Sequence, residues 1–128
     1  MSCRRPAAVE TITIPGYLPT PLNVLLRRHY RKRATTMRKE GELVVHYLRS
    51  GSSTAAVGKR RVSLLLTLQG QDKVRDPDAN WKVILDACVA SGRLVDDGPK
   101  WCELGPVSYG RGPRRATTII LEDVEAVL

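Results

Sequence analysis

At 128 residues, with 42% hydrophobic and 27% charged side chains, the chain can bury one core of its own and is too apolar to be disordered over most of its length. A net charge of +8 points to a polyanionic partner. No apolar run approaches the roughly 20 residues of a membrane span, no signal-peptide core stands at the N-terminus, and Cys3, Cys88 and Cys102 lack the paired spacing of a zinc site or disulfide framework, so a cytoplasmic protein is expected.

The charge is uneven. Residues 1–69 hold 13 Lys/Arg against 3 Asp/Glu, giving +10, whereas residues 70–128 hold 8 against 10, giving −2. Such a division suits an enzyme that grips phosphates with one half and hydrolyses with the other.

Residues 1–8 read as a frayed start to a single domain over 1–128. Val9 to Ile14 alternates apolar and polar residues with β-branched types dominant, the pattern of a strand, and Pro15-Gly16 ends it. Prolines at 19 and 21 keep the following loop out of helical geometry. Next comes a basic block, Arg27, Arg28, His29, Tyr30, Arg31, Lys32 and Arg33, read either as a solvated face or as a phosphate-contact surface; its density favours phosphate contact. A helix is expected from Thr35 or Thr36 to Leu48, burying Leu43, Val44, Tyr47 and Leu48, with Ser50 to Thr54 as its stop. Lys59-Arg60-Arg61 introduces a strand from Val62 to Leu68, whose leucine run suggests a central position covered on both faces. A second helix is expected from Ala79 to Ser91 with Gly92 at its C-cap, and Cys88 late on it reads as a small core residue rather than a nucleophile. Strands near 100–109 and 116–122, joined by the basic turn Gly110 to Arg115, complete an α/β or α+β sandwich: a mixed sheet with two main helices covering one or both faces.

The stretch with chemistry in it is Arg75-Asp76-Pro77-Asp78, followed by Lys82 and Asp86 and later by Asp96-Asp97. Asp76 precedes proline, so its backbone is pushed toward extended geometry. In extended chain, positions i and i+2 share a face with Cα atoms roughly 6.5 Å apart. Asp76 and Asp78 can then aim at one point, and carboxylates so placed repel unless a proton, a base or a hard cation joins them. In so basic a chain that point reads as a magnesium site facing DNA. The structural alternative is an N-cap at Asp78, a weak ion-pair ladder through Lys82 and Asp86, and an ordinary turn at Asp96-Asp97-Gly98.

From Ile12 through the proline-rich loop to Asn23 and the Arg28-His29-Tyr30 block, and most strongly over 75–97, the chain resembles the RusA family of Holliday junction resolvases, small endodeoxyribonucleases of bacteria and their phages. The family pattern is Arg-Asp-x-Asp-Asn, a Lys four residues after the second Asp, Asp-Ala-Leu, then an Asp-Asp pair. Here Asp76-Pro77-Asp78, Lys82, Asp86-Ala87-Cys88 and Asp96-Asp97 stand in matching register. Ala79 takes the place of the Asn, with Asn80 one later, and Cys88 replaces the Leu. The first change removes the basis for a role of that Asn; the second is a core swap.

The resemblance implies a RusA-like fold and a homodimer with one active site per subunit, resolving four-way DNA junctions by paired phosphodiester hydrolysis in recombination and repair. It implies Mg²⁺, with Mn²⁺ as a substitute, held by Asp76, Asp78 and Asp97, with Lys82 as a further catalytic residue and Asp86 supporting it. The backbone-contact candidates are Arg27, Arg28, Arg31, Lys32, Arg33, Lys73 and Arg75; no membrane partner and no nucleotide cofactor is expected. Two other functions share these residues: a non-catalytic binder of branched DNA, and a flap or fork nuclease of the same chemistry.

Overall fold

A computed structural model describes residues 9–20, 27, 29–51, 53–72 and 81–124. Its elements, in chain order, are β1 (Val9–Pro15), α1 (Tyr30–Ser50), β2 (Arg60–Gln69), α2 (Trp81–Ala90), β3 (Cys102–Gly112) and β4 (Ala116–Asp123). The strands form one mixed sheet in the order β1-β4-β2-β3, antiparallel at β1/β4 and β4/β2 and parallel at β2/β3. This is the α+β sandwich expected from the alternation of strand-like and helix-like patterns.

β2 is the hub. It lies between β4 and β3, with Leu64 opposite Ile119 on one side and Val107 on the other. Its inward positions Val62, Leu64, Leu66 and Leu68 are buried, while Ser63, Leu65 and Thr67 are half-exposed. The expectation of a strand covered on both faces is therefore corrected. The leucine run is interior to the sheet, yet among the described residues only one face of that sheet carries helices. There Ile12, Ile14, Ile119 and Leu121 join the β2 side chains against Val44 and Leu48 of α1 and Val83, Ile84, Ala87 and Cys88 of α2. Trp81 is buried in the first turn of α2, and Gly92 closes that helix with φ +75°, a conformation that costs glycine little.

α1 begins five residues earlier than Thr35, so part of the basic block becomes its first turn. His29 makes this possible: its Nδ1 accepts from the Arg31 N–H at 3.3 Å, and its carbonyl accepts from the Arg33 N–H at 2.9 Å. Leu43, expected to be buried, is exposed, and Tyr47 is half-buried; Val44 and Leu48 carry the helix's buried face.

β3 and β4 are consecutive in sequence but are not neighbours in the sheet, because β2 runs between them. The turn 113–115 must therefore cross two strand spacings, about 10 Å, over the C-terminal end of β2. It is tied down there: Gln69 Nε2 donates to the Pro113 carbonyl at 2.9 Å, and Arg111 Nη1 to the Gly70 carbonyl at 2.7 Å. At the irregularity between Val62 and Leu64, a Cβ on Gly105 would lie 2.0 Å from Ser63 Oγ, so the bare backbone of glycine lets β3 close on β2. No described helix is long and apolar enough to cross a membrane.

Candidate functional site

Of the acidic residues expected to hold metal, Asp76 and Asp78 lie outside the described residues, as do Arg28, Lys73 and Arg75. Asp97, Lys82, Arg27, Arg31, Lys32 and Arg33 are within them.

Lys82 is the second residue of α2 and points to solvent, its Nζ 3.8 Å from Asp86 Oδ2 one turn on. This is the exposed i,i+4 ion pair that the spacing suggested. Asp97 sits beyond the other end of the helix. The segment that carries it is pinned to the start of β2: Ala56 N–H donates to the Gly92 carbonyl at 2.9 Å, Arg60 Nη1 to the Arg93 carbonyl at 3.1 Å, and Arg60 N–H to the Trp101 carbonyl at 3.1 Å. The Asp97 carboxylate helps push the Cys102 thiol up, after the larger effect of burial, which places it at this same end. Lys82 thus stands in the first turn of α2, and Asp97 follows the helix by seven residues in the connection to β3. Among the described residues, no three His, Cys, Asp or Glu side chains are grouped to hold a metal ion.

The basic block is better defined. Arg27, Arg31 and Lys32 are exposed and Arg33 is half-buried. Arg31 packs on Tyr30, its guanidinium 5.8 Å from the ring centroid and its Nε donating to the phenol oxygen at 3.2 Å. The first turn of α1 contains no acidic residue. Cations there oppose the helix dipole, so they cost the fold stability rather than contribute to it. Their sign suits an incoming anion instead. Beside them a depression of about 510 Å³ is lined by Arg31, Lys32, Thr35 and Thr36.

Two features were not anticipated. Arg60 is 2% exposed and reaches Asp123 Oδ1 at 2.7 Å, the Thr54 carbonyl at 2.9 Å, the Arg93 carbonyl at 3.1 Å and Glu10 Oε1 at 3.8 Å. Strand periodicity held the clue, since Arg60 shares its parity with Val62, Leu64 and Leu66 and so points inward. The second feature is how the expected basic turn is anchored: Arg115 grips Asp72 through two contacts, at 2.6 and 2.8 Å.

Cys88 is fully buried, and burial, with a smaller push from Cys102, raises its thiol to about 12; this suits a core residue and not a nucleophile. No family model matches the chain, and no curated protein matches it. The case for a function therefore rests on the residues themselves.

Proposed function

We propose that the protein is a Mg²⁺-dependent, structure-specific endodeoxyribonuclease that resolves four-way DNA junctions. One observation carries the reading: Asp76-Pro77-Asp78, Lys82, Asp86 and Asp96-Asp97 stand in the register of the RusA resolvases. The exposed cations at the start of α1 support the DNA-binding part of it.

The donor set Asp76, Asp78 and Asp97 is all carboxylate oxygen, which suits Mg²⁺ better than a softer metal. Such an ion would supply Lewis-acid polarisation of the phosphodiester. Lys82, held by Asp86, would balance charge on the phosphate, and Arg27, Arg31, Lys32 and Arg33 would hold the backbone without reading sequence. Paired cuts on a symmetric junction call for a homodimer. A bacterial or phage-infected cytoplasm, at the nucleoid, is the proposed setting.

A second reading is a non-catalytic binder of branched DNA, for which the exposed cations at the start of α1 would suffice. Cleavage of a synthetic four-way junction by wild type and Asp78→Asn, with and without Mg²⁺, separates the two. Paired symmetric nicks that the substitution abolishes while junction binding persists are expected. Tight binding with no cutting in Mg²⁺ or Mn²⁺ establishes the binder instead. Linear duplex and flap controls test the flap or fork nuclease.

A further inference from the structure

The arginine turn between β3 and β4 does not stand alone. Its crossing over the end of β2 brings Arg115 to a groove of about 330 Å³ that is also lined by Lys39 of α1, together with Gly16, Tyr17, Thr36 and Glu40. The Gly16 N–H donates to the Arg115 carbonyl at 2.7 Å, fixing the turn against the exit of β1. Thr36 lines this groove and also the depression formed by Arg31 and Lys32, so the two are continuous along α1. Arg111 at the end of β3 and Arg114 on the turn, both exposed, extend the same surface.

Two carboxylates face this surface. Asp72 is matched by Arg115, and Glu40 accepts from the Thr20 N–H at 2.9 Å through one oxygen. Lys39 and Arg114 make no hydrogen bond or ion pair among the described residues, so nothing there explains them as props of the fold. Arg111 spends its donors on the Gly70 and Asp72 carbonyls, which leaves its charge uncancelled.

We propose that Lys39 and Arg114, beside the uncancelled charge of Arg111, form a second phosphate-contact surface, continuous with the basic start of α1, that carries a nucleic-acid backbone from α1 across the groove to the β3–β4 turn. The inference rests on the DNA-binding part of the function proposed above and not on catalysis. Each cation that neutralises a phosphate releases counterions, so each lost contact lowers the salt slope by about 0.9. Backbone contacts are also blind to base sequence.

The test is fluorescence anisotropy of a labelled four-way junction and a labelled linear duplex with the full chain in EDTA, over a series of salt concentrations. The double variant Lys39→Ala/Arg114→Ala should bind several-fold more weakly, with a log–log salt slope smaller by about 2, and equally so for junctions of unrelated sequence. The comparison variant Arg49→Ala/Lys59→Ala removes the same charge at the other end of the sheet and should keep the wild-type slope. An equal loss in both doubles reduces the effect to net charge and overturns the surface. Wild-type binding by Lys39→Ala/Arg114→Ala, beside a loss in Arg31→Ala/Lys32→Ala, overturns it while leaving DNA binding intact. A wild-type protein that binds neither DNA overturns both.

Discussion

The two ends of the sheet use the same residue types for opposite purposes. Where β2 begins, the arginines are spent on the protein: Arg60 on Asp123 and Glu10, Arg61 on Glu103 and Glu122, Arg93 on Ser53 Oγ and the Ser91 carbonyl. Where β2 ends, Lys39, Arg114, Arg31 and Lys32 have no carboxylate partner among the described residues, and Arg111 and Arg115 brace a turn while still facing outward. A count of Lys and Arg does not separate these roles. The partner does, and it comes from a remote part of the chain.

The largest effect should follow Arg60→Met. Removing a buried cation takes the ion pair from the half-exposed Asp123, leaves Glu10 with its Thr54 donors alone and two carbonyls without a donor, at a cost of about 3 kcal/mol, a drop of about 10 °C in Tm by thermal denaturation. A shift of only a degree or two would mean that this end is as solvated as the other, and the comparison would collapse.

The same end shields the thiols. Cys88 stays neutral in the fold up to about pH 12, whereas in the unfolded chain a thiol ionises near about 8.5. Its contribution to stability is thus complete below about pH 8.5 and is lost as pH rises toward the folded value. The stability advantage of wild type over Cys88→Ala in urea titrations should therefore narrow between about pH 8 and pH 10.5, by up to about 1.4 kcal/mol per pH unit. A constant gap would show that Cys88 is not sealed from water. In a Cys3→Ser background, both remaining thiols should react with a disulfide reagent only after unfolding.

Arg61→Ala sharpens the comparison from within one end. Arg61 lies between Glu103 and Glu122 in register, as Arg60 lies opposite Asp123, but its side chain is 38% exposed. Water and salt screen such a pair, so the loss should stay below about 1 kcal/mol and shrink further in high salt. The smallest effect on stability belongs to Lys39→Ala/Arg114→Ala, whose Tm should match wild type within about 2 °C, because those cations brace nothing. A large drop in Tm would make them structural.

Much of the architecture was legible in order. β-branched alternation marked β1 and β4, the leucine run marked an interior strand, and glycine at 92 marked the end of α2, because periodicity and turn chemistry are local properties. The pairing of Lys82 with Asp86 was also readable, since i,i+4 spacing decides contact within one helix. The early start of α1 was not, because His29 is an unusual cap and the basic run beside it has the wrong sign for a helix N-terminus.

Other properties belong to the tertiary structure alone. Strand order put β2 between β3 and β4, and so swung an arginine turn over the end of β2 and against α1. The packing of only one sheet face by described helices made a leucine-rich strand one-sided. The burial of Arg60 among groups contributed by β1, β4 and two connecting segments turned a charge into a strut. Each depends on residues far apart in the chain meeting at a few ångströms, and local propensity carries no record of that. From its order of residues the chain determined which segments are strands and helices and that half of it is strongly basic; which of its cations serve the fold and which are left for a partner was decided only when the sheet closed.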